Sequence, residues 1–153
     1  MLKLRISYFS GTGNTDYVAH YLARRLADLP VMIELQSIEQ RLEKMRAGAV
    51  DDSQTDLLAV GFPVYAGDAP ELVRGYLSQL PPGEGRGAFV FCTKGAIAGS
   101  AVDRNLARLQ ARGFVPLGGE SIGMPGSDGL AFIGKDSRMA RAALEKDYDR
   151  LKE

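Results

Sequence analysis

The sequence predicts an α/β protein with three layers, α/β/α, around a five-stranded parallel sheet. Three observations predict it. Short apolar runs rich in β-branched and aromatic residues alternate with segments of helical period through the chain. The first junction between them, Ser10-Gly11-Thr12-Gly13-Asn14-Thr15, has the glycines and hydroxyls of a ligand-binding strand-to-helix turn. The length, 153 residues with 45% hydrophobic, suits one domain with its own core, because a chain of this size can bury about 70% of its unfolded surface.

Residues 2 to 9 read as a buried strand ending at that turn. From Asn14 to Asp28, Val18, Tyr21, Leu22 and Leu26 recur at helical spacing, and Pro30 stops the pattern. Val31 to Leu35 is a second strand, and residues 38 to 47 form a short polar helix that Gly48 ends. After a loop at Asp51-Asp52-Ser53-Gln54, Leu57 to Phe62 is a near-continuous apolar run, the form of a central parallel strand covered on both faces. Ala69-Pro70-Glu71 opens a helix through Leu80, with Pro70 in a first-turn position where its missing N–H is harmless. Ala88 to Cys92 is the fourth strand, and Ser100 is the expected N-cap of a helix reaching Arg112. Residues 114 to 123 form a fifth strand, and 136 to 152 a last helix with Met139, Ala143, Leu144 and Leu151 inward.

Charge and cysteine content narrow the function. Nineteen basic and 19 acidic residues leave a net charge of zero, against a nucleic-acid or membrane-surface binder, which needs a positive excess. The single Cys92 excludes a disulfide within the chain, a cysteine-rich zinc site and an iron–sulfur cluster on its own cysteines. Lys3 and Arg5 interrupt the first apolar run, so no signal peptide is read there, and no run reaches the ~20 apolar residues of a membrane span. The expectation is a cytoplasmic protein without membrane attachment.

In a doubly wound sheet, ligands sit at the carboxyl ends of the strands, which directs attention to the loops after strands one, three and four. The first, Ser10 to Thr15, offers hydroxyls and backbone N–H groups at a helix N-terminus whose dipole favours an anion. No Lys or Arg lies between residues 6 and 23, so the donors are neutral, and the Walker A lysine is missing. Gly11 and Gly13 are half of a dinucleotide fingerprint and Glu34 could serve as its ribose acid, but Asp16 stands at the third glycine position. A monophosphate fits better; the bland alternative is a turn without a ligand.

The second loop, Pro63-Val64-Tyr65-Ala66-Gly67-Asp68, carries a rigid proline, an aromatic able to lie on a planar ligand, and a glycine whose peptide can turn. Its alternative is a Tyr65 packed on the next helix. The third, Thr93-Lys94-Gly95 through Gly99, has the small residues that let backbone N–H groups approach a ring; an ordinary glycine-rich connection is its alternative. Lone His20 falls on the polar side of helix one, and Cys92 reads as a buried strand residue without the arginine of a phosphatase loop at Ala98. Asp51, Asp52 and Asp56 lie before strand three, at the wrong end of the sheet, while Met124 to Gly129 lies on the correct edge.

These residues carry a resemblance. Tyr8-Phe9 followed by Ser10 to Thr15 resembles the FMN-phosphate loop of flavodoxins, and Phe62 to Pro70 with Met124-Pro125 resembles the flavodoxin-like domain of bacterial ferredoxin–flavodoxin fusions. The resemblance implies a sheet order of 2-1-3-4-5 and noncovalent FMN across a single domain, residues 1 to 153. It implies that Ser10, Gly11, Thr12, Gly13, Asn14 and Thr15 hold the phosphate. Pro63, Val64, Tyr65, Ala66 and Gly67, with Thr93, Lys94, Gly95 and Gly99, would flank the ring.

No ferredoxin module accompanies the domain, so electrons would pass to or from a separate redox partner protein. The neutral charge argues against the acidic docking face of many flavodoxins. Tyr65 would stack on the ring, the Gly67 carbonyl could turn toward flavin N5 and favour one-electron states, and Lys94 could raise the second reduction potential. The rivals are an FMN-dependent NAD(P)H oxidoreductase and a phosphate-binding module without redox chemistry. A carrier is expected to be monomeric, a reductase dimeric.

Overall fold

The computed structural model describes residues 1–50, 54–95 and 99–123. They alternate strictly: β1 (Leu2–Tyr8), α1 (Asn14–Leu26), β2 (Val31–Ser37), α2 (Ile38–Arg46), β3 (Leu57–Pro63), α3 (Glu71–Gln79), β4 (Gly87–Lys94), α4 (Ala101–Ala111) and β5 (Val115–Gly123). The strands form one parallel sheet in the order β2-β1-β3-β4-β5. This is the flavodoxin-like three-layer arrangement, with the order expected from the resemblance. The expected helix over 136 to 152 and the loop at Met124 to Gly129 lie outside the described residues, as do Asp51 and Asp52.

Alternation along the central strands separates two cores. Leu58, Val60 and Phe62 of β3 and Ala88, Val90 and Cys92 of β4 join Val73, Tyr76, Leu77 and Leu109 on the side of α2, α3 and α4. Ala59 and Phe91 point the other way, packing with Leu4, Ile6, Val18, Leu22 and Ile122 beneath α1. The period of two in the strands thus places successive residues in different cores. Gly61 faces the α1 side, and its missing side chain makes room for Phe91, its register partner in β4: a Cβ there would lie 2.1 Å from the ring. Arg5 is buried within β1, its Nε donating to Oε2 of the exposed Glu34 at 3.0 Å, so the charge that interrupts the first apolar run is paired with the neighbouring strand β2.

The element ends correct several sequence expectations. β2 continues to Ser37 because Ser37 also caps α2, its Oγ accepting from Gln40 N–H at 3.2 Å, so strand passes into helix without a loop. β4 continues to Lys94 because Thr93 and Lys94 pair with Ile122 and Gly123. Pro70 occupies the cap position of α3 rather than its first turn. Ser100 precedes α4 but makes no side-chain cap: at ψ 21° it is not in the extended conformation that aims an N-cap hydroxyl at the first turn. Among the described residues no helix is long and apolar enough to cross a membrane.

Candidate functional site

The carboxyl ends of β1, β3 and β4 gather the three loops singled out in the sequence. Phe9 continues β1 for one more bond, its N–H donating to the Gly61 carbonyl at 3.0 Å. The chain then turns through Ser10 to Gly13, with Gly13 in the left-handed region at φ 95°. Ser10 Oγ accepts from Gly13 N–H at 3.0 Å, which closes the turn. No side-chain hydrogen bond caps α1, so its first-turn N–H groups face the loop with the positive end of the dipole. Gly11, Thr12 and Gly13 are exposed, while Thr15 is buried and its hydroxyl meets the Thr93 hydroxyl at 2.9 Å, tying α1 to the end of β4. Neutral hydroxyls and amides at an uncapped helix start are a donor set suited to a phosphate monoester.

The second loop crosses toward the first. Pro63 ends β3 opposite Thr93, and Val64 N–H donates to the Thr93 carbonyl at 2.9 Å. Tyr65 and Asp68 then exchange backbone bonds of 2.8 and 3.1 Å around Ala66 and Gly67, at φ 51° and 78°. Positive φ at both central positions is the mark of a type I′ turn, which favours Asn-Gly. Tyr65 is 48% exposed, and a Cβ on Gly11 would come within 2.5 Å of its phenol oxygen, so Tyr65 reaches the first loop. On the far side, a Cβ on Gly99 would lie 3.6 Å from Gly67 Cα, so the third loop borders the same turn. Lys94 is part-exposed at the end of β4 and Gly95 is exposed beyond it; Ala96 to Ala98 lie outside the described residues.

Ala66 carries a strained backbone, since a Cβ at φ 51° crowds the neighbouring carbonyl by roughly 1 kcal/mol. Ala66→Asn places the preferred residue at an exposed position. It is expected to raise stability by about 0.5 kcal/mol, measured as a shift of the denaturation midpoint without change of slope.

Asp68 anchors the turn. Its Oδ1 accepts from Ala69 N–H at 2.7 Å, Asn105 Nδ2 at 3.0 Å and the Arg108 guanidinium at 2.7 Å, while Oδ2 accepts from Arg108 at 2.8 Å. Asn105 is fully buried; its amide also donates to Ala101 O and its carbonyl accepts from Arg108. The sequence reading missed Asn105 and Arg108. Their i, i+3 spacing puts them on one face of α4, but nothing local indicates that this face meets a carboxylate 40 residues earlier.

The Arg108 hydrogen bonds hold the Asp68 carboxyl well below the usual carboxylate range, outweighing the upward push of burial. A depressed folded value stabilises the protein above the unfolded value, near 3.9, and the gain disappears as pH falls through the folded one. The stability difference between wild type and Asp68→Asn is therefore expected to stay constant from pH 7 to about 5 and to shrink steadily below about 4, in urea unfolding at each pH.

A cleft of about 430 Å³ beside the first loop is lined by Tyr8, Ser10, Gly13, Asp16, Ser37 and Glu39. Burial, with hydrogen bonding to Asp16, pushes the Tyr8 phenol up to about 12. Asp16, which occupies the third glycine position of a dinucleotide fingerprint, is thus engaged by Tyr8 and also lies 3.4 Å from His20 Nδ1. His20 is exposed, as its place on the helix predicts. Burial likewise pushes the Cys92 thiol up to about 12, so at neutral pH it remains a protonated core residue. Asp56 accepts from Lys3 N–H at 2.8 Å at the amino end of the sheet, away from the loops.

No family model matches the chain, and no match was found among the curated proteins. Solved structures do match. A short-chain flavodoxin associated with a non-canonical PDU bacterial microcompartment superposes with a TM-score of 0.70 at 19% identity, over 99% of this chain and 97% of that one. An NADH:FMN oxidoreductase in its apo form matches with a TM-score of 0.66 at 16% identity, over 99% and 89%. A flavodiiron core from Synechocystis matches with a TM-score of 0.65 at 18% identity; 98% of this chain is covered, and it spans 36% of that larger chain. At these identities the likeness establishes the fold, which proteins with different redox roles share.

Proposed function

We propose that this chain, over residues 1 to 153, forms a single unit that binds FMN noncovalently and carries electrons between separate redox partner proteins in the cytoplasm. The observation that carries the reading is the convergence of a neutral donor loop over the uncapped start of α1 with an exposed tyrosine that reaches it from the β3 turn. Ser10 to Thr15 supply the phosphate site through backbone N–H groups and the Thr12 hydroxyl, with Thr15 fixing the loop to Thr93. Pro63 to Gly67 form one wall for the ring, on which Tyr65 stacks and to which the Gly67 carbonyl offers an acceptor. Thr93, Lys94, Gly95 and Gly99 form the opposite wall, and the Lys94 ammonium favours negative charge at the ring's pyrimidine end. When bound, the flavin supplies electron transfer in one- or two-electron steps. The residues orient it, and its exposed edge is left to a partner.

A flavodoxin and an NADH:FMN oxidoreductase match the same fold over nearly the whole chain, so the fold itself does not separate a carrier from a reductase. An anaerobic reductive titration of protein mixed with FMN tests the proposal. A carrier is expected to bind FMN, to show two resolved one-electron potentials, and to be unaffected by NADH or NADPH alone. Rapid bleaching by either nicotinamide would assign the reductase instead. Failure to take up FMN at all would leave a phosphate-binding module.

A further inference from the structure

We infer that Asp16 and Glu39 are specificity-determining residues that close the cleft beside the first loop to a second phosphate, so that the loop accepts a mononucleotide and rejects a dinucleotide. The flavin consequence rests on the FMN reading; the preference for one phosphate over two does not.

The sheet order sets the direction in which a ligand leaves the anion loop. β1 lies between β2 and β3, and the loops proposed for the ring follow β3 and β4. A second group on the same phosphate therefore runs the other way, toward the carboxyl end of β2. The cleft of about 430 Å³ lies there, bounded by Ser10 and Gly13 of the first loop and by Ser37 and Glu39 of the β2–α2 junction, with Tyr8 and Asp16 between them. Small-molecule sites occupy roughly 300–1,000 Å³, so space does not exclude the second half of a dinucleotide.

Charge does. Two helix starts open on the cleft, and each carries a carboxylate in its first turn, Asp16 in α1 and Glu39 in α2. Both helix dipoles thus have an anion supplied by the chain itself, where a second phosphate would stand. Asp16 is held in place. It accepts from the Tyr8 phenol, which burial above all keeps protonated at neutral pH. His20 Nδ1 lies 3.4 Å from Asp16 Oδ1 and 2.9 Å from the Asp16 carbonyl. Glu39 is exposed, and its charge also bears on Tyr8. No Lys or Arg occurs from residue 6 to 23 or from 31 to 40, and Arg41, next in α2, is buried. Glu34, spaced to serve as a ribose acid, instead accepts from Arg5, short of the end of β2. A phosphate monoester keeps its charge, close to two units at neutral pH, within the loop and its neutral donors. In a dinucleotide one of those charges moves into the cleft, where the two carboxylates repel it.

Fluorescence titration of the wild type, Asp16→Asn, Glu39→Gln and the double variant with FMN and FAD tests the inference. At about 7 Å near a protein surface, with salt screening, each carboxylate is worth roughly a factor of five in affinity for a unit charge. The ratio of FMN to FAD affinity is therefore expected to fall at least tenfold in the double variant, through a gain in FAD affinity, while Glu39→Gln leaves FMN binding within about threefold. A damaged fold does not produce a gain. Raising salt from about 0.05 to 0.5 M is expected to shrink the wild-type ratio and to leave that of the double variant nearly constant. An unchanged ratio in the double variant, a ratio that falls only because FMN binds more weakly, or a wild-type ratio indifferent to salt would overturn the charge gate. Inorganic phosphate and pyrophosphate, followed by NMR at the amides of Gly11, Gly13 and Ser37, repeat the comparison without flavin. Pyrophosphate is expected to gain about tenfold over phosphate in the double variant and to shift the Ser37 amide. That gain in a protein that takes up neither flavin would remove the FMN reading and uphold the gate. Normal FMN uptake without any gain for FAD or pyrophosphate would remove the gate and leave the FMN reading standing.

Discussion

Thr12→Asp is expected to weaken FMN binding by about 100-fold while changing riboflavin binding by no more than about threefold. Thr12 is exposed at the tip of the loop that starts α1, where the proposed phosphate meets only neutral donors. A carboxylate about 4 Å from a phosphate charge costs roughly 4 kcal/mol per pair of unit charges at an effective dielectric near 20. Exposure and salt screening cut this to about 2–3 kcal/mol, and 1.4 kcal/mol is a factor of ten in affinity. Riboflavin has no phosphate, so it reports damage to the ring walls and is insensitive to the new charge. Thr12→Asn keeps a neutral donor and is expected to retain FMN affinity within about threefold. Fluorescence titration with both flavins reads all three. Equal affinity of the wild type for FMN and riboflavin would remove the phosphate role from Ser10 to Thr15.

The largest effect on stability is expected at Gly61. An added Cβ there would lie 2.1 to 2.8 Å from three ring carbons of Phe91, which is itself 1% exposed and has no space to retreat. Overpacking of this kind costs about 3 kcal/mol, which for a chain of this size lowers Tm by roughly 6–12 °C. Phe91→Leu removes the obstructing ring, so the double substitution should be less harmful than the sum of the singles by about 1–2 kcal/mol. Additive costs in urea unfolding would show that the strain lies elsewhere. Because Gly61 also accepts the bond from Phe9 that leads β1 into the first loop, distortion there is transmitted toward the candidate site.

The parts of the molecule legible in advance were those governed by local rules. The run from Leu57 to Phe62 is apolar at nearly every position because both faces of β3 are covered, and it emerges as the centre of the sheet. The loop Ser10 to Thr15 announces itself because a helix start after a strand, with glycines and hydroxyls, has few other uses. Ser37 shows where such rules stop: the same residue ends a strand and caps a helix, and only the backbone path decides that no loop intervenes. Ser100 shows the reverse, having the right side chain for a cap on a backbone that turns it away. Arg5 was read only as an interruption of an apolar run, because its partner Glu34 belongs to the neighbouring strand.

By itself, the sequence determined the alternation of strands and helices, the burial of Cys92 and the placing of the glycine-rich loops after strands one, three and four. Periodicity, turn chemistry and composition act over a few residues, and such information survives in one dimension. Only the tertiary structure decided that Tyr65 reaches Gly11, that Thr15 meets Thr93, and that Asp68 is gripped by Asn105 and Arg108. These contacts join segments separated by 37 to 78 residues, and they exist because parallel strands bring their carboxyl ends, and therefore their loops, to one edge.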